Sequence, residues 1–225
     1  ARLRAMDVSD PAAPVELDSV PVPFSWTYSL WADGDTLYVN GEGLLHRFDT
    51  SDPSALTPTG PQLVGCSGRV TTSDTHLQLA CSGAPRAVEL PFETPWGSTP
   101  VGIGIGTYDL AVWGDYAYVA TGQAVEVYDV ADPKEPVRTT KFHGFNGFNT
   151  SLLVVGDFLV VGEHPKIRVR SLAADPAAPP VVASLDSSGL SSSYLAMAGD
   201  RLLVASSQQE LGISDFSDPT DPGPV

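Results

Sequence analysis

The residues of this 225-residue chain whose types could do chemistry are two cysteines, four histidines and a set of aspartates written into a recurring phrase. Cys66 and Cys81 each lie seven residues from the dipeptide Ser73-Asp74, which reads as the turn of a hairpin. Residues symmetric about such a turn face each other with Cα atoms about 4.5 to 5.5 Å apart, within reach of a disulfide. The reading is a Cys66–Cys81 disulfide, with two buried free thiols or a metal site shared with His76 as the other outcomes. A disulfide implies an oxidising, extracytoplasmic setting. The histidines, His46, His76, His143 and His164, are scattered over the chain. One grouping stands out: His143 in one loop, and Glu163 with His164 in a second loop on the same face, could form a metal or acid–base site. Isolated loop histidines account for the same residues.

Spacings that mark catalysis are missing. The chain has no His-Glu-x-x-His, no Gly-x-Ser-x-Gly, no phosphate-binding glycine loop and no Cys-x-x-Cys. "GIGIG" (102–106) is followed by no helical pattern and reads as a glycine-rich strand. No catalytic residue, no resident cofactor and no enzyme activity are therefore expected. Calcium at the aspartate-rich loops is the one cation weighed, against a purely structural role for those loops. Aromatic residues supply the other candidates. "FSWTYSLW" (24–31) carries Trp26, and "FHGFNGFN" (142–149) sets His143 and Phe145 among glycines and asparagines. Aromatics in such loops can stack on sugars or anchor a peptide, or simply fill space between sheets.

Elements that could hold these residues follow from a repeat. "MDVSDPAAPV", "FDTSDP", "YDVADPKEPV", "AADPAAPPV" and "SDFSDPTDPGPV" place the proline of Asp-Pro at 11, 53, 133, 176 and 219, spaced 42, 80, 43 and 43. The 80 is two periods, and "RAVELPFETPWGSTPV" (86–101) is a degraded copy in the gap. A second marker keeps step. The aspartates of short turns between apolar runs, at 35, 74, 115, 157 and 200, are spaced 39, 41, 42 and 43. In "LAVWGDYAYVATGQAVEVYDVADPKEPVRTTKF" a strand meets a Gly-Asp hairpin turn, then a second strand, a Thr-Gly turn and a third. The Asp-Pro loop then leads to a fourth. Gly and Asp tolerate the positive φ of two-residue hairpins, and β-branched and aromatic residues fill the strands. In Asp-x-Ser/Ala-Asp-Pro, the first aspartate (Asp7, Asp49, Asp129, Asp215) can accept downstream amides in an Asx turn. The proline stops the strand.

Four antiparallel strands in about 42 residues is the size of a propeller blade. The expected fold is an all-β propeller, one domain over 1–225, with the end of a preceding blade at 1–20. Blades follow at 21–64, 65–106, 107–147, 148–189 and 190–225, five visible of five to seven in all. "PVELDSV" could serve as the outer strand of the last blade. The chain opens inside a strand-like run and stops just after a repeat phrase, which reads as two cut points of a longer or mature protein. Lys plus Arg number 12 against 27 Asp plus Glu, a net charge of -15. Nucleic acid and anionic lipid are excluded as partners, because they need cationic surfaces.

The pattern of apolar strand, Gly-Asp turn, "YVA" strand and "VEVYDVADPKEPV" resembles the LVIVD-repeat β-propellers of bacterial and archaeal cell-surface and secreted proteins. It is similar over essentially the whole chain and best over 108–142, while 66–107 departs from it, lacking Asp-Pro. The resemblance implies a non-catalytic interaction module and carries no catalytic residues over. The resulting expectation is an extracytoplasmic scaffold that binds protein or glycan. A metal-dependent propeller hydrolase or lyase and a structural module of an extracellular assembly are the alternatives. The loops entering each blade differ in length and content, whereas the Gly-Asp and Asp-Pro turns repeat. Recognition is therefore expected on the entry face, bordered by Trp26, Tyr108, His143, Phe145 and Tyr194.

Overall fold

A computed structural model of the chain describes residues 2–10, 12–23, 29–42, 44–63, 70–72, 76–81, 84–89, 95–98, 107–121, 124–132, 135–143, 151–163, 166–187, 192–206 and 211–225. For the strand residues between 61 and 98, for the two serines at 192–193, and for His143 and Ser206, only the backbone is described. All regular structure in these residues is antiparallel β, and none of it is helical, so no helix is long and apolar enough to cross a membrane. The chain divides into two compact units, Ala1–Val70 and Thr71–Val225.

The first unit holds a two-stranded sheet, β1 (Arg2–Asp7) with β2 (Val15–Pro21), and a four-stranded meander. That meander is β3 (Ser29–Asp33), β4 (Thr36–Gly41), β5 (Leu44–Asp49) and β6 (Thr57–Leu63). Val22, Val39 and Phe48 are buried between the two sheets, with Leu3, Val20 and Leu37 packed against them. Alternation explains the choice: Leu3 and Ala5 turn to one side of β1, Arg2 and Arg4 to the other.

The second unit, opening at the boundary residue, repeats the meander. Its first sheet is β7 (Val70–Thr72), β8 (His76–Cys81), β9 (Ala84–Glu89) and β10 (Pro95–Ser98), the last being the strand of the degraded phrase. Next come β11 (Thr107–Trp113), β12 (Tyr116–Thr121), β13 (Ala124–Asp129) and β14 (Val137–His143). These are followed by β15 (Ser151–Val155), β16 (Phe158–Glu163), β17 (Lys166–Ser171) and β18 (Val181–Asp186). A three-stranded sheet ends the series: β19 (Ser192–Ala198), β20 (Arg201–Ser206) and β21 (Leu211–Asp215). First strands neighbour one another, β11 against β15 and β15 against β19, so these sheets stack face to face as propeller blades do. The described residues form four sheets of four strands, one of three strands and one of two, the last being β1–β2 ahead of the series. The strand "VELDS" within β2 belongs to the sheet it makes with β1, not to the outer edge of β21.

Two local devices recur from sheet to sheet among the described residues. Gly34, Gly114, Gly156 and Gly199 begin the first hairpin turn with φ of 53, 54, 55 and 58°. Glu42 is the one non-glycine residue at positive φ among those described. The turn aspartates therefore keep negative φ, which corrects the expectation that both turn residues adopt positive values. Positive φ at the first central residue alone is the type II′ requirement. The second device is a β-bulge at one repeated position in the fourth strand, opposite Ala5/Met6, Arg47/Phe48, Val127/Tyr128 and Val169/Arg170. A bulge there adds twist and bends the outer edge.

In three copies, at Asp7 and Asp10, Asp49 and Asp52, and Asp215 and Asp218, the Asp-Pro phrase is a doubled Asx turn. Asp7, Asp49, Asp129 and Asp215 each accept the N–H two residues on, at 2.8 to 3.0 Å. Asp10, Asp52, Asp175 and Asp218 repeat the bond at 2.8 to 3.0 Å, so the aspartate before proline works as hard as the first. The two periodic markers are also bonded to each other. The amides of Thr50, Val130, Leu172 and Phe216, just past the third strand, donate to the turn carbonyls of Asp35, Asp115, Asp157 and Asp200 at 2.7 to 2.8 Å. Their common period thus has a physical cause: both belong to one hydrogen-bonded corner.

Candidate functional site

The corner just described recurs at one end of the β3–β6, β11–β14, β15–β18 and β19–β21 sheets. The other end carries the candidate residues, and the described part of it lies in the second unit. Tyr108 is half-buried on β11, and Tyr194 on β19 is 60% exposed. They stand on first strands of different sheets with the β15–β18 sheet between them. His143 closes β14 by its backbone. Trp26, Phe145, His164 and Cys66 lie outside the described residues, and Cys81 is placed only as the end of β8. The expected recognition surface, disulfide and His143–Glu163–His164 grouping therefore rest on residues whose structure is not described, save for Tyr108, Glu163 and Tyr194.

Glu163 ends β16 and faces the β11–β14 sheet, as Val161 and Leu159 do on the same strand. Its side chain is 3% exposed, and neither carboxylate oxygen has a hydrogen bond. Arg168 Nε on β17 lies 3.3 Å from Oε2, an ion pair without hydrogen-bond geometry. Burial pushes the Glu163 carboxyl above its ordinary range, and Arg168 and Arg170 pull it partly back. Two residues along β17, the buried Arg170 lays its guanidinium on the Phe142 ring of β14, 3.8 Å from the centroid. Its Nη1 donates to the Pro179 carbonyl at 2.7 Å. Burial lowers its proton affinity and Glu163 restores part of it. A guanidinium can stack on an aromatic face in this way because its plane is weakly hydrated.

On the first strands the same interface is closed by Asp109, 1% exposed. One carboxylate oxygen accepts the Leu110 amide and the other the Leu152 amide, each at 2.8 Å. Strands β11 and β15 are paired along one edge only. Asp109 supplies an acceptor to each unpaired edge and ties neighbouring sheets together. Tyr118 completes the set, its hydroxyl donating to the Pro176 carbonyl at 2.8 Å. Burial raises the Tyr118 phenol far above its usual range, so it stays a donor. On the opposite face of β13, buried Glu126 accepts the Tyr128 hydroxyl at 2.5 Å and lies 3.4 Å from Arg138.

Chemically, Asp109 and Arg170 are engaged in joining sheets, while Glu163 and Glu126 lie against arginines of their own sheets. Among the described residues no group of three His, Cys, Asp or Glu side chains could hold a metal ion. Sequence reasoning passed over Asp109, Arg168 and Arg170. Their signal was present: a carboxylate inside the apolar "TYDLAVW", and arginines at alternate positions in "KIRVRS".

Comparisons with known proteins agree on the fold. No curated protein matches the chain. Solved structures that do match include a candidate 6-phosphogluconolactonase from Bacteroides fragilis, with TM-score 0.76 and 12% identity, over 96% of this chain and 73% of that one. A chain of the Mitotic Checkpoint Complex matches with TM-score 0.71 and 15% identity, over 96% and 71%. BamB from Moraxella catarrhalis matches with TM-score 0.63 and 13% identity, over 88% of this chain. The chain spans only 60% of that BamB. Likeness at such identities shows the fold alone. The LVIVD repeat model matches residues 106–142, which is the β11–β14 sheet almost end to end. The chain therefore carries an LVIVD repeat in the sheet where the sequence phrase is most regular.

Proposed function

We propose that this chain is a non-catalytic binding scaffold, working outside the cytoplasm, that recognises protein or glycan through the ends of its sheets opposite the Asp-Pro corners. The observation that supports this most is the contrast between the two ends. At one end the described Asp-Pro corners repeat one backbone hydrogen bond to the turn aspartate, which gives a partner little to distinguish. At the other end the sequence changes from loop to loop on a rigid base, the usual place for recognition. Membership of a similar chain in the Mitotic Checkpoint Complex supports a protein-binding use of such sheets. The LVIVD repeat supports an extracytoplasmic setting.

The test is a screen of the fluorescently labelled chain against arrays of glycans and of peptides, repeated with His143→Ala/Phe145→Ala. Hits that the double variant loses by at least tenfold, at an unchanged melting temperature, support the reading. Binding that survives in the double variant but is lost on replacing Gly114 and Gly156 would place recognition at the other end. The setting has its own check. Mass spectrometry of non-reduced peptides from natively expressed protein should show Cys66 linked to Cys81. Two alkylatable thiols would remove the argument from an oxidising compartment.

A further inference from the structure

Among the described residues, two peptide bonds join an aspartate or asparagine to glycine: Asp33–Gly34 and Asn40–Gly41. A chain can react with itself at such a bond. The glycine amide nitrogen attacks the side-chain carbonyl carbon of the residue before it. Glycine favours this because it has no side chain to crowd the closing five-membered ring and accepts φ of either sign. Asparagine is intrinsically the faster partner, since ammonia leaves its side chain more readily than hydroxide leaves a carboxyl. The fold reverses that order.

Asn40 lies in β4, paired with Ser29 of β3 on one side and Leu45 of β5 on the other. It is fully buried, and Gly41 is buried with it. Ring closure there has to rotate the 40–41 peptide out of its ladders and admit water, and both need local unfolding. Asp33 is placed differently. It ends β3, its pairing with Thr36 is the last of that ladder, and Gly34 and Asp35 lie beyond it. All three residues of this tip are exposed. Gly34 holds φ of 53° with nothing within 4 Å of where a side chain would begin, so the 33–34 peptide has room to turn. The matching glycines Gly114, Gly156 and Gly199 follow Trp113, Val155 and Ala198, whose side chains offer no carbonyl to attack.

We propose that Asp33–Gly34 is a spontaneous modification site, where the folded chain isomerises Asp33 to isoaspartate and so opens the corner bond between Thr50 and Asp35. In the first step the Gly34 nitrogen bonds to Cγ of Asp33, and the amide proton and carboxyl hydroxyl leave as water. In the second, water adds to one carbonyl of the resulting succinimide. Addition at Cγ restores Asp33. Addition at the main-chain carbonyl breaks its bond to the Gly34 nitrogen, so the chain now runs through Cγ and leaves a free α-carboxylate. One water is lost and one regained, and no other reactant is needed. The product carries one extra main-chain carbon between Cα of residue 33 and the Gly34 nitrogen. A two-residue turn cannot absorb that carbon while Asp33 still meets Thr36. Asp35 is therefore displaced, and its carbonyl is the acceptor of the Thr50 amide at 2.8 Å.

The test ages the chain for weeks at physiological temperature, folded in mildly acidic buffer and unfolded in guanidinium chloride at the same pH. Peptide mapping with electron-transfer fragmentation reads each site. The expected folded product is isoaspartate at position 33, unchanged in mass, with Asn40 intact. Unfolded, Asn40 should convert at least about tenfold faster than when folded and overtake Asp33. Asp33→Glu would have to close a six-membered ring, and should stay unmodified with a melting temperature near that of the parent, because the replaced side chain is exposed. In the isomerised fraction, hydrogen exchange should quicken at the Thr50 amide and keep its rate at the matching amides of Val130, Leu172 and Phe216. A folded chain that ages without isoaspartate at position 33 overturns the proposal. So does Asn40 converting equally fast folded and unfolded, because burial then decides nothing. Unchanged protection of the Thr50 amide in the isomerised fraction overturns the link to the corner.

Discussion

The β15–β18 sheet is held differently on its two faces. Toward β11–β14, an apolar centre of Tyr118, Val127, Leu152, Leu159 and Leu172 is ringed by polar contacts. Asp109 clamps the first strands, Tyr118 reaches the Pro176 carbonyl, and Arg170 lies on Phe142. Toward β19–β21, the buried side chains are Val160, Ile167, Val169, Leu185, Leu202, Val204 and Phe216, with Leu195 and Met197 against them. The same repeat thus builds one interface with directional bonds and one whose buried cluster is apolar. Burial is not directional, so the second arrangement would accept many similar sheets. Bonds that reach from Asp109 to Leu152, 43 residues on, accept one neighbour in one register.

The largest effect should come from the packed interface, where the buried cluster is apolar. Leu202 is fully buried. Truncating Leu202→Ala removes its transfer energy and leaves a cavity, with an expected loss of about 2–5 kcal/mol in urea unfolding. A loss under about 1 kcal/mol would mean that this face relaxes around the cavity and is not closely packed.

Next in size is the clamp. Asp109→Ala leaves the amides of Leu110 and Leu152 without their acceptor. Hydrogen bonds to a charged group contribute about 1.5–3 kcal/mol, and a buried donor left bare costs about 1–3. The expected loss is about 2–3 kcal/mol, and Asp109→Asn, which keeps one acceptor oxygen, should lose less. Equal stability of Asp109→Ala and the parent would erase the distinction between the two interfaces.

What was legible in the sequence divides along the same line. The strand order and the Asx bonds of Asp7, Asp49, Asp129 and Asp215 join residues two apart, so side-chain type and spacing reveal them. The period was legible because each corner is solved locally with the same residues. The second Asx bond, at the aspartate before proline, was as local but was hidden behind the proline's more obvious role. The fourth-strand bulge has no residue signature, since Leu17, Thr59, Thr139 and Val182 occupy the extra position. The interface charges were legible as residue types, but their partners were not. Asp109 with Leu152 and Phe142 with Arg170 belong to different repeats, and only the stacking of sheets decides which of them meet. For the candidate site, the sequence supplied aromatic and histidine types. Tyr108 and Tyr194 lie on separate sheets, so loop composition did not by itself say which side chains share a surface.

The smallest effect, and the most informative about the polar interface, concerns Glu163. Burial raises its folded-state proton affinity above the ordinary glutamate value of 4.5, despite Arg168 and Arg170. The sign follows from linkage. Well below that ordinary value both folded and unfolded states carry the proton, and the group's contribution is fully present. As pH rises from there through the raised folded value, the unfolded chain releases the proton first, so stability falls and stays lower. The aspartates of the corners act oppositely. Asp49, Asp52, Asp215 and Asp218 are held below 3.8 by amide and side-chain donors, so their contribution is lost as pH drops through that acid range. A stability maximum in mildly acidic solution follows. Glu163→Gln keeps the shape of the protonated carboxyl and removes its titration. The variant should match the parent near pH 4 and exceed it at pH 7 by no more than about 1 kcal/mol, read from urea midpoints across the range. Arg168→Gln, which withdraws the nearer positive charge, should make the parent's decline steeper. Should Glu163→Gln instead be the less stable protein at pH 7, attraction to the two arginines outweighs burial of the carboxylate. The polar interface would then hold by charge as well as by the clamp at Asp109.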